Sequence, residues 1–378
     1  MNLKIIIKFV IYYFINLFIF SSKDIKDKTI LLVRLDVIGD YVLFRNFLEV
    51  IKNNEKYKGY ELTLLGNIAW KDLAIKLDSQ WVDNFIWLDV KKLNKNFLYR
   101  YKKLKEISST GYELVINPSY SRDYFPFFYL MIALITAKEK IGSVGDNSHP
   151  LDKKMGAQYY TKLIPVKDRV IFEFNRNMDF FEELLNEKLP IIRTEIVLPY
   201  ERLNFQLPKP YAIIFIGASK SFRKWHIKKY AEVAQYLNNV YEYGIVLCGG
   251  LNDKKEAESF ANYFNDDYID LVGKTSLLEL SYLIKDSKIL ISNETVAPHI
   301  AVALNVKNIF VLSNGNHLGR FSPYPKNITE NYHAVYHPNL SNNVEENAFL
   351  SNQFKYGSSL NINEISSEKV INKIKMNL

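Results

Sequence analysis

A chain of 378 residues with 48% hydrophobic and 24% charged residues is too apolar to be disordered and too long for one compact core, so two domains are expected. Its 49 Lys+Arg against 41 Asp+Glu leave a net charge of +8, which favours an anionic partner (membrane surface, phosphorylated glycolipid, nucleotide sugar or nucleic acid) without choosing among them. One cysteine, Cys248, excludes an internal disulfide and fits a reducing compartment, and the six scattered histidines, with no Cys/His cluster at zinc spacing, indicate no protein metal site.

Residues 3–20, LKIIIKFVIYYFINLFIF, are apolar apart from Lys4 and Lys8, which leave only Phe9–Phe20 free of charge. That stretch is short of the roughly 20 residues a spanning helix needs. Lys4, Lys8, Tyr12 and Asn16 recur every four residues and would form one stripe of a helix. The pattern predicts an in-plane interfacial helix, lysines near lipid phosphates and the Ile/Phe face in the acyl boundary. A spanning or signal-anchor helix and packing against the protein itself are the alternatives, and no small-residue cleavage site follows in SSKDIKDK. Residues 1–28 are therefore read as a membrane-surface helix and linker.

Thr29–Leu35 is a continuous apolar run, as in a strand covered on both faces, followed by a loop with Asp36, Gly39 and Asp40 and a helix from Tyr41. Strands at Tyr60–Gly66, Asn84–Asp89 and Tyr112–Ser119 alternate with helical patterns, including the basic run Lys91–Ile107. The most apolar internal run, Asp123–Ala137, reads as a core helix, with an acceptor- or membrane-facing surface as the alternative. Gly145–Lys167 reads as irregular and Phe172–Asn186 as a helix. Prolines 199, 208 and 210 place the interdomain linker at Pro199–Pro210. The alternation then resumes with strands at Tyr211–Ile216, Gly244–Cys248, Tyr268–Leu271, Lys288–Ser292 and Lys307–Leu312. Helices are predicted at His226–Leu237, Asp253–Phe264, Leu277–Ile284 and Pro298–Leu304. The domains so drawn are 29–198 and 199–340, followed in 341–378 by a polar, Asn/Ser-rich tail with a last helix, Ile365–Lys375, predicted to cross back onto the first domain. Repeated βα units imply doubly wound parallel sheets.

Four strand-to-loop junctions carry the chemistry-bearing residues: LLVRLDVIGDYVLF (Leu31–Phe44), YAIIFIGASKSFRKW (Tyr211–Trp225), YGIVLCGGLNDKKEAE (Tyr243–Glu258) and ISNETVAPHIAVALN (Ile291–Asn305). Loops leaving strand C-termini toward helix N-termini are where open parallel sheets bind anions, because unpaired N–H groups point outward there. The ordinary alternatives are an N-cap aspartate at Asp40, a solvated basic loop at Gly217–Lys224, a tight glycine turn at Gly249–Gly250, and a strand–turn–helix connection capped by Asn293 or Thr295.

In this order, the four stretches resemble glycosyltransferase family 9, the ADP-heptose:lipopolysaccharide heptosyltransferase family, from about Thr29 to about Pro325. The resemblance implies an α/β fold of GT-B architecture, two Rossmann-like doubly wound domains facing a central cleft. It further implies an inverting, metal-independent glycosyltransferase with Asp40 as catalytic base and Asp36 as the fallback. Ser219, Arg223, Lys224, Glu294, Thr295 and His299 would bind the donor phosphates, and Gly249 and Asp253 the nucleoside, with Arg320 a further phosphate or sugar contact. No cofactor is implied beyond a nucleotide-diphosphate sugar as substrate, with ADP the expected nucleotide. The expected partners are that donor, a lipid-linked or lipopolysaccharide-type acceptor and an anionic membrane surface at the cytoplasmic face of a bacterial inner membrane; no nucleic acid is expected. Relatives read approximately SNDTGPMHLA, whereas here Glu294 stands for Asp, Val296 for Gly and Pro298 for Met. Valine disfavours φ > 0 where glycine permits it, which keeps open a catalytically inactive sugar-nucleotide or glycan-binding paralogue.

Overall fold

The computed structural model describes residues 3–121, 128–148, 150–200, 205–340 and 348–378. The chain separates into two units, residues 1–167 with 176–190 and residues 168–175 with 191–378. Each is built on a 6-stranded, wholly parallel sheet. The first contains β1 (Ile25–Arg34), β2 (Glu61–Asn67), β3 (Asn84–Leu88), β4 (Gly111–Asn117), β5 (Ala137–Ser143) and β6 (Lys162–Ile164), in the order β3-β2-β1-β4-β5-β6. The second contains β7 (Tyr211–Phe215), β8 (Gly244–Cys248), β9 (Tyr268–Asp270), β10 (Ile289–Asn293), β11 (Ile309–Ser313) and β12 (Tyr332–Tyr336), in the order β12-β11-β10-β7-β8-β9. Counted from its own first strand, each sheet has the same doubly wound order, which reverses between its first and fourth strands.

The central strands β7, β10 and β11 are buried along their whole length, which is why they read as unbroken apolar runs. Three strands escaped the sequence reading for want of that signal. β5, AKEKIGS, pairs in parallel with β4 while exposing its charged first half. β6 is only 3 residues long, inside the stretch expected to be irregular. β12 closes the edge of the second sheet beside β11. Two expected helices are each broken in two: Ile38–Val42 with Asn46–Asn53, and Val90–Lys95 with Phe97–Ser108. In the second case the Asn96 side chain accepts from the Tyr99 amide at 2.8 Å and starts a new helix.

The expected linker at Pro199–Pro210 does not separate the units. The chain changes unit after Lys167, Asn175 and Pro190, and the described prolines belong to the second unit, where the Tyr282 hydroxyl donates to the Pro199 carbonyl. Residues 201–204 of that stretch lie outside the described residues. The last helix, Ser367–Lys375, packs on the Ile227–Tyr241 helix of its own unit rather than crossing back. Ile365, Val370 and Ile374 enter that core, and Trp225 Nε1 donates to the Ile365 carbonyl at 2.9 Å. The polar tail also holds a helix, Ala348–Phe354. Residues 122–127 of the apolar run Asp123–Ala137 lie outside the described residues, and the remainder forms the buried helix Tyr129–Leu134, as expected of a core segment.

The N-terminal helix, Leu3–Leu17, is part of the first unit. Tyr12 is fully buried, its hydroxyl donating to the Asn94 carbonyl at 2.9 Å, and Asn16 Nδ2 donates to the Leu130 carbonyl at 2.9 Å. The inner half of the expected polar stripe therefore faces protein, because hydroxyl and amide groups find backbone carbonyls there. The side chain of Lys4 lies outside the described residues. No described helix is long and apolar enough to cross a membrane.

Candidate functional site

In the second unit β7 and β10 lie side by side where the strand order reverses, so the loops leaving them diverge and open a crevice. Asn293, the last residue of β10, ties these loops together. Its Nδ2 donates to the carbonyls of Ile216 at 3.1 Å and Gly217 at 3.4 Å, while its Oδ1 accepts from the Trp225 amide at 3.2 Å. It is fully buried, and it is not the helix cap. The cap of the Val296–Ala303 helix is Thr295, in an extended conformation with no side-chain cap bond. Its hydroxyl is thus not committed to the helix, and the first N–H groups of that helix are left for a ligand. Val296 opens the helix and is not among the positive-φ residues, so this valine carries no left-handed strain.

Arg223 comes to this helix start from the β7 loop. It ends the short turn Ser221–Arg223, and its guanidinium donates to the Glu294 carbonyl while its Nε has no partner among the described residues. The Glu294 carboxylate turns inward, accepting from Ser313 Oγ at 2.8 Å; burial pushes its pKa up, against the pull of Arg223 and Ser313. His299, one turn into the helix, is buried with Nδ1 2.7 Å from the Tyr324 hydroxyl. Burial, and then the charge of Arg223, push the His299 imidazole down to about 4. The structure thus brings Arg223, Glu294, Thr295 and His299 together, with Ser219 exposed on the same β7 loop.

A pH dependence follows. The folded pKa of His299 lies below the ordinary value of 6.5, so the unfolded chain binds the extra proton more readily. The stability this site contributes is present above about pH 6.5 and falls as the pH drops toward 4, by up to roughly 3 kcal/mol. Denaturant melts at pH 7 and pH 4.5 are expected to separate less for His299→Gln than for the parent chain.

Lys224, Gly249 and Asp253 form a second cluster, built as a buttress. Lys224 Nζ lies 2.7 Å from Asp253 Oδ1 and 2.8 Å from Glu256 Oε1, and Asp253 Oδ2 accepts from the Gly250 amide at 2.8 Å. The cation expected on phosphate and the carboxylate expected on ribose are both engaged inside the protein, holding the β7 and β8 loops together. Side-chain-free loops are needed for this, since a Cβ at Gly217 would stand 2.8 Å from Asp253 Oδ2. Arg320 is likewise engaged, its Nε donating to Glu173 Oε2 at 2.9 Å.

In the first unit the strand order reverses between β1 and β4. The β1 loop leads into the helix Ile38–Val42, where Asp40 is buried in the first turn; the N-cap position is held by Val37. Asp36 is paired with the buried Arg34 at 2.9 Å, and its carbonyl accepts from Trp70 Nε1 at 3.0 Å. Just beyond, the Tyr41 hydroxyl and Arg45 converge on Asp78, fully buried, with Arg45 Nη2 2.6 Å from Asp78 Oδ1. The sequence offered no sign of this triad, because Asp78 looks like one more polar residue at a helix end. Among the described residues no group of three or more His, Cys, Asp and Glu is arranged to hold a metal ion.

Residues 166–349, which contain β7 to β12 with their loops, match the family description Glycosyltransferase family 9 (heptosyltransferase). Over this segment, just under half of its length, the chain is similar to that family. Among solved structures it is similar to the glycosyl transferase family 9 protein from Veillonella parvula DSM 2008, with 18% identity over 94% of this chain and 98% of that one and a TM-score of 0.66. It is similar to the E. coli heptosyltransferase WaaC with ADP, with 15% identity, 93% and 100% coverage and a TM-score of 0.66. The E. coli ADP-heptose lps heptosyltransferase II follows with 16% identity, 92% and 98% coverage and a TM-score of 0.60. No curated protein matches by sequence. The fold is the GT-B fold of these heptosyltransferases.

Proposed function

We propose that this chain is a family 9 glycosyltransferase that moves a sugar, with heptose from ADP-heptose the foremost donor, to a lipopolysaccharide or other lipid-linked glycan, with inversion and without a metal ion. The observation that carries the reading is the convergence of Arg223, Thr295 and the free N-terminus of the Val296–Ala303 helix where the second sheet reverses. As the anomeric C–O bond breaks, its electron pair passes to the diphosphate oxygen. A fixed guanidinium and N–H groups aligned beforehand stabilise that charge without reorganising. The acceptor hydroxyl gives its proton to the Asp40 carboxylate and its oxygen attacks the anomeric carbon from the face opposite the diphosphate, which inverts the centre. Lys224 and Asp253 hold the loops in register, and Ser219 supplies a hydroxyl to the phosphates. Such an enzyme would work at the cytoplasmic face of the inner membrane, where a soluble donor meets a lipid-borne acceptor.

The test is titration calorimetry with ADP, UDP and GDP. ADP is expected to bind with heat that EDTA leaves unchanged, and Arg223→Ala to weaken it about tenfold or more, the worth of a charge-assisted hydrogen bond. Tighter UDP or GDP binding removes ADP as the donor nucleotide. No heat with any of the three removes the donor site, and transfer that stops in EDTA removes the metal-free mechanism.

A further inference from the structure

The N-terminal helix is amphipathic in the sense opposite to that of a helix on a water-facing surface. Its polar Tyr12 and Asn16 face the protein, and it presents Ile7, Val10, Phe14, Leu17 and Phe18 to the outside. Spaced three or four residues apart, these five fall on one arc about 100° wide. Phe18 is 67% exposed, and Phe20, just past the helix, is 90% exposed. The neighbouring helix Phe97–Ser108 packs against the inward face, its Phe97 ring meeting Tyr12 edge-on at 6.3 Å, and adds exposed Phe97 and Leu98. Lysines rim it. Lys8 lies over the Tyr12 ring at 5.3 Å, and Lys91, Lys92, Lys95, Lys102 and Lys105 are exposed on the two helices that follow β3. The acidic residue within those two helices is Glu106, itself paired with Lys103 at 2.8 Å.

We propose that this face docks on an anionic lipid bilayer, with the Ile7-to-Phe20 strip inserted below the headgroups and the lysine rim on lipid phosphates. A second copy of the chain would set the two lysine rims against each other, whereas a bilayer supplies both hydrocarbon for the strip and negative charge for the rim. The inference rests on the membrane placement proposed above for the acceptor and names the surface that achieves it. Its readout is lipid binding, so its failure leaves the donor chemistry standing.

The experiment is co-sedimentation of the full chain with phosphatidylcholine vesicles, with and without about one-third phosphatidylglycerol, the added anionic lipid raising local cation attraction. Binding is expected to the anionic vesicles. It should fall at least tenfold in Phe14→Ser/Phe18→Ser and several-fold in Lys91→Glu/Lys92→Glu/Lys95→Glu, with the calorimetric response to ADP unchanged in both. A further variant, Phe18→Trp, keeps the strip apolar, and the emission of the introduced indole should shift to the blue and be quenched by brominated lipid. Equal binding by all variants, or an emission from the Phe18→Trp protein that ignores vesicles, overturns the proposal. So does a parent dimer that Phe14→Ser/Phe18→Ser makes monomeric with no vesicle binding by either, which would assign the strip to a second copy.

Discussion

Asp40→Asn is expected to lower kcat for sugar transfer by about a hundredfold to ten-thousandfold, the range for removal of a general base. The change keeps the volume of a buried side chain in the first turn of the Ile38–Val42 helix, and the N-cap there is Val37, so the helix keeps its start. ADP binding should be unaltered, because the residues assigned to the donor stand in the second unit. Asp36→Asn is the informative contrast. Its carboxylate is held 2.9 Å from the fully buried Arg34, so its loss should appear first as lower stability. Kinetics with saturating donor and an independent melt separate the two effects. Turnover by Asp40→Asn within threefold of the parent, or loss of turnover only in Asp36→Asn, would move the base to Asp36 or away from this loop.

The largest expected loss of stability is at a residue outside the chemistry. Asp78→Ala removes the acceptor on which the Tyr41 hydroxyl and Arg45 converge, and leaves a guanidinium buried without its counter-ion. Breaking such a pair from one side costs roughly 3–5 kcal/mol, because the remaining charge keeps its desolvation penalty. Tyr41→Phe, which removes one hydroxyl from the same group, should cost about 1 kcal/mol and leave the ion pair intact. Urea melts of the three proteins check the ordering. A smaller loss for Asp78→Ala than for Tyr41→Phe would mean that water replaces the carboxylate and that the triad does not brace the helix carrying Asp40.

Much of the framework was legible because strands buried on both faces have no choice of composition. YAIIF, GIVLC and ILIS announce themselves, and the β8 bounds follow the sequence reading residue for residue. The loops that follow them were legible for a related reason. A doubly wound sheet offers its crevice at strand C-termini, so polar residues crowded there stand out against the apolar runs. Strands at or next to a sheet edge gave no such signal. β5 and β12 are half-exposed and tolerate Lys, Glu and His, so only their pairing partners define them.

Roles within the loops were decided by tertiary structure. Arg223 and Lys224 are adjacent cations in sequence, yet one turns to the Glu294 carbonyl and the start of the following helix while the other is held between Asp253 and Glu256. No local pattern separates them, because the partners lie on different strands' loops. The N-terminal segment shows the same division. Residue spacing alone determined a helix there with one polar and one apolar side. Which side turns inward depended on the Asn94 and Leu130 carbonyls, buried acceptors that Tyr12 and Asn16 satisfy and that only the assembled first unit brings within reach.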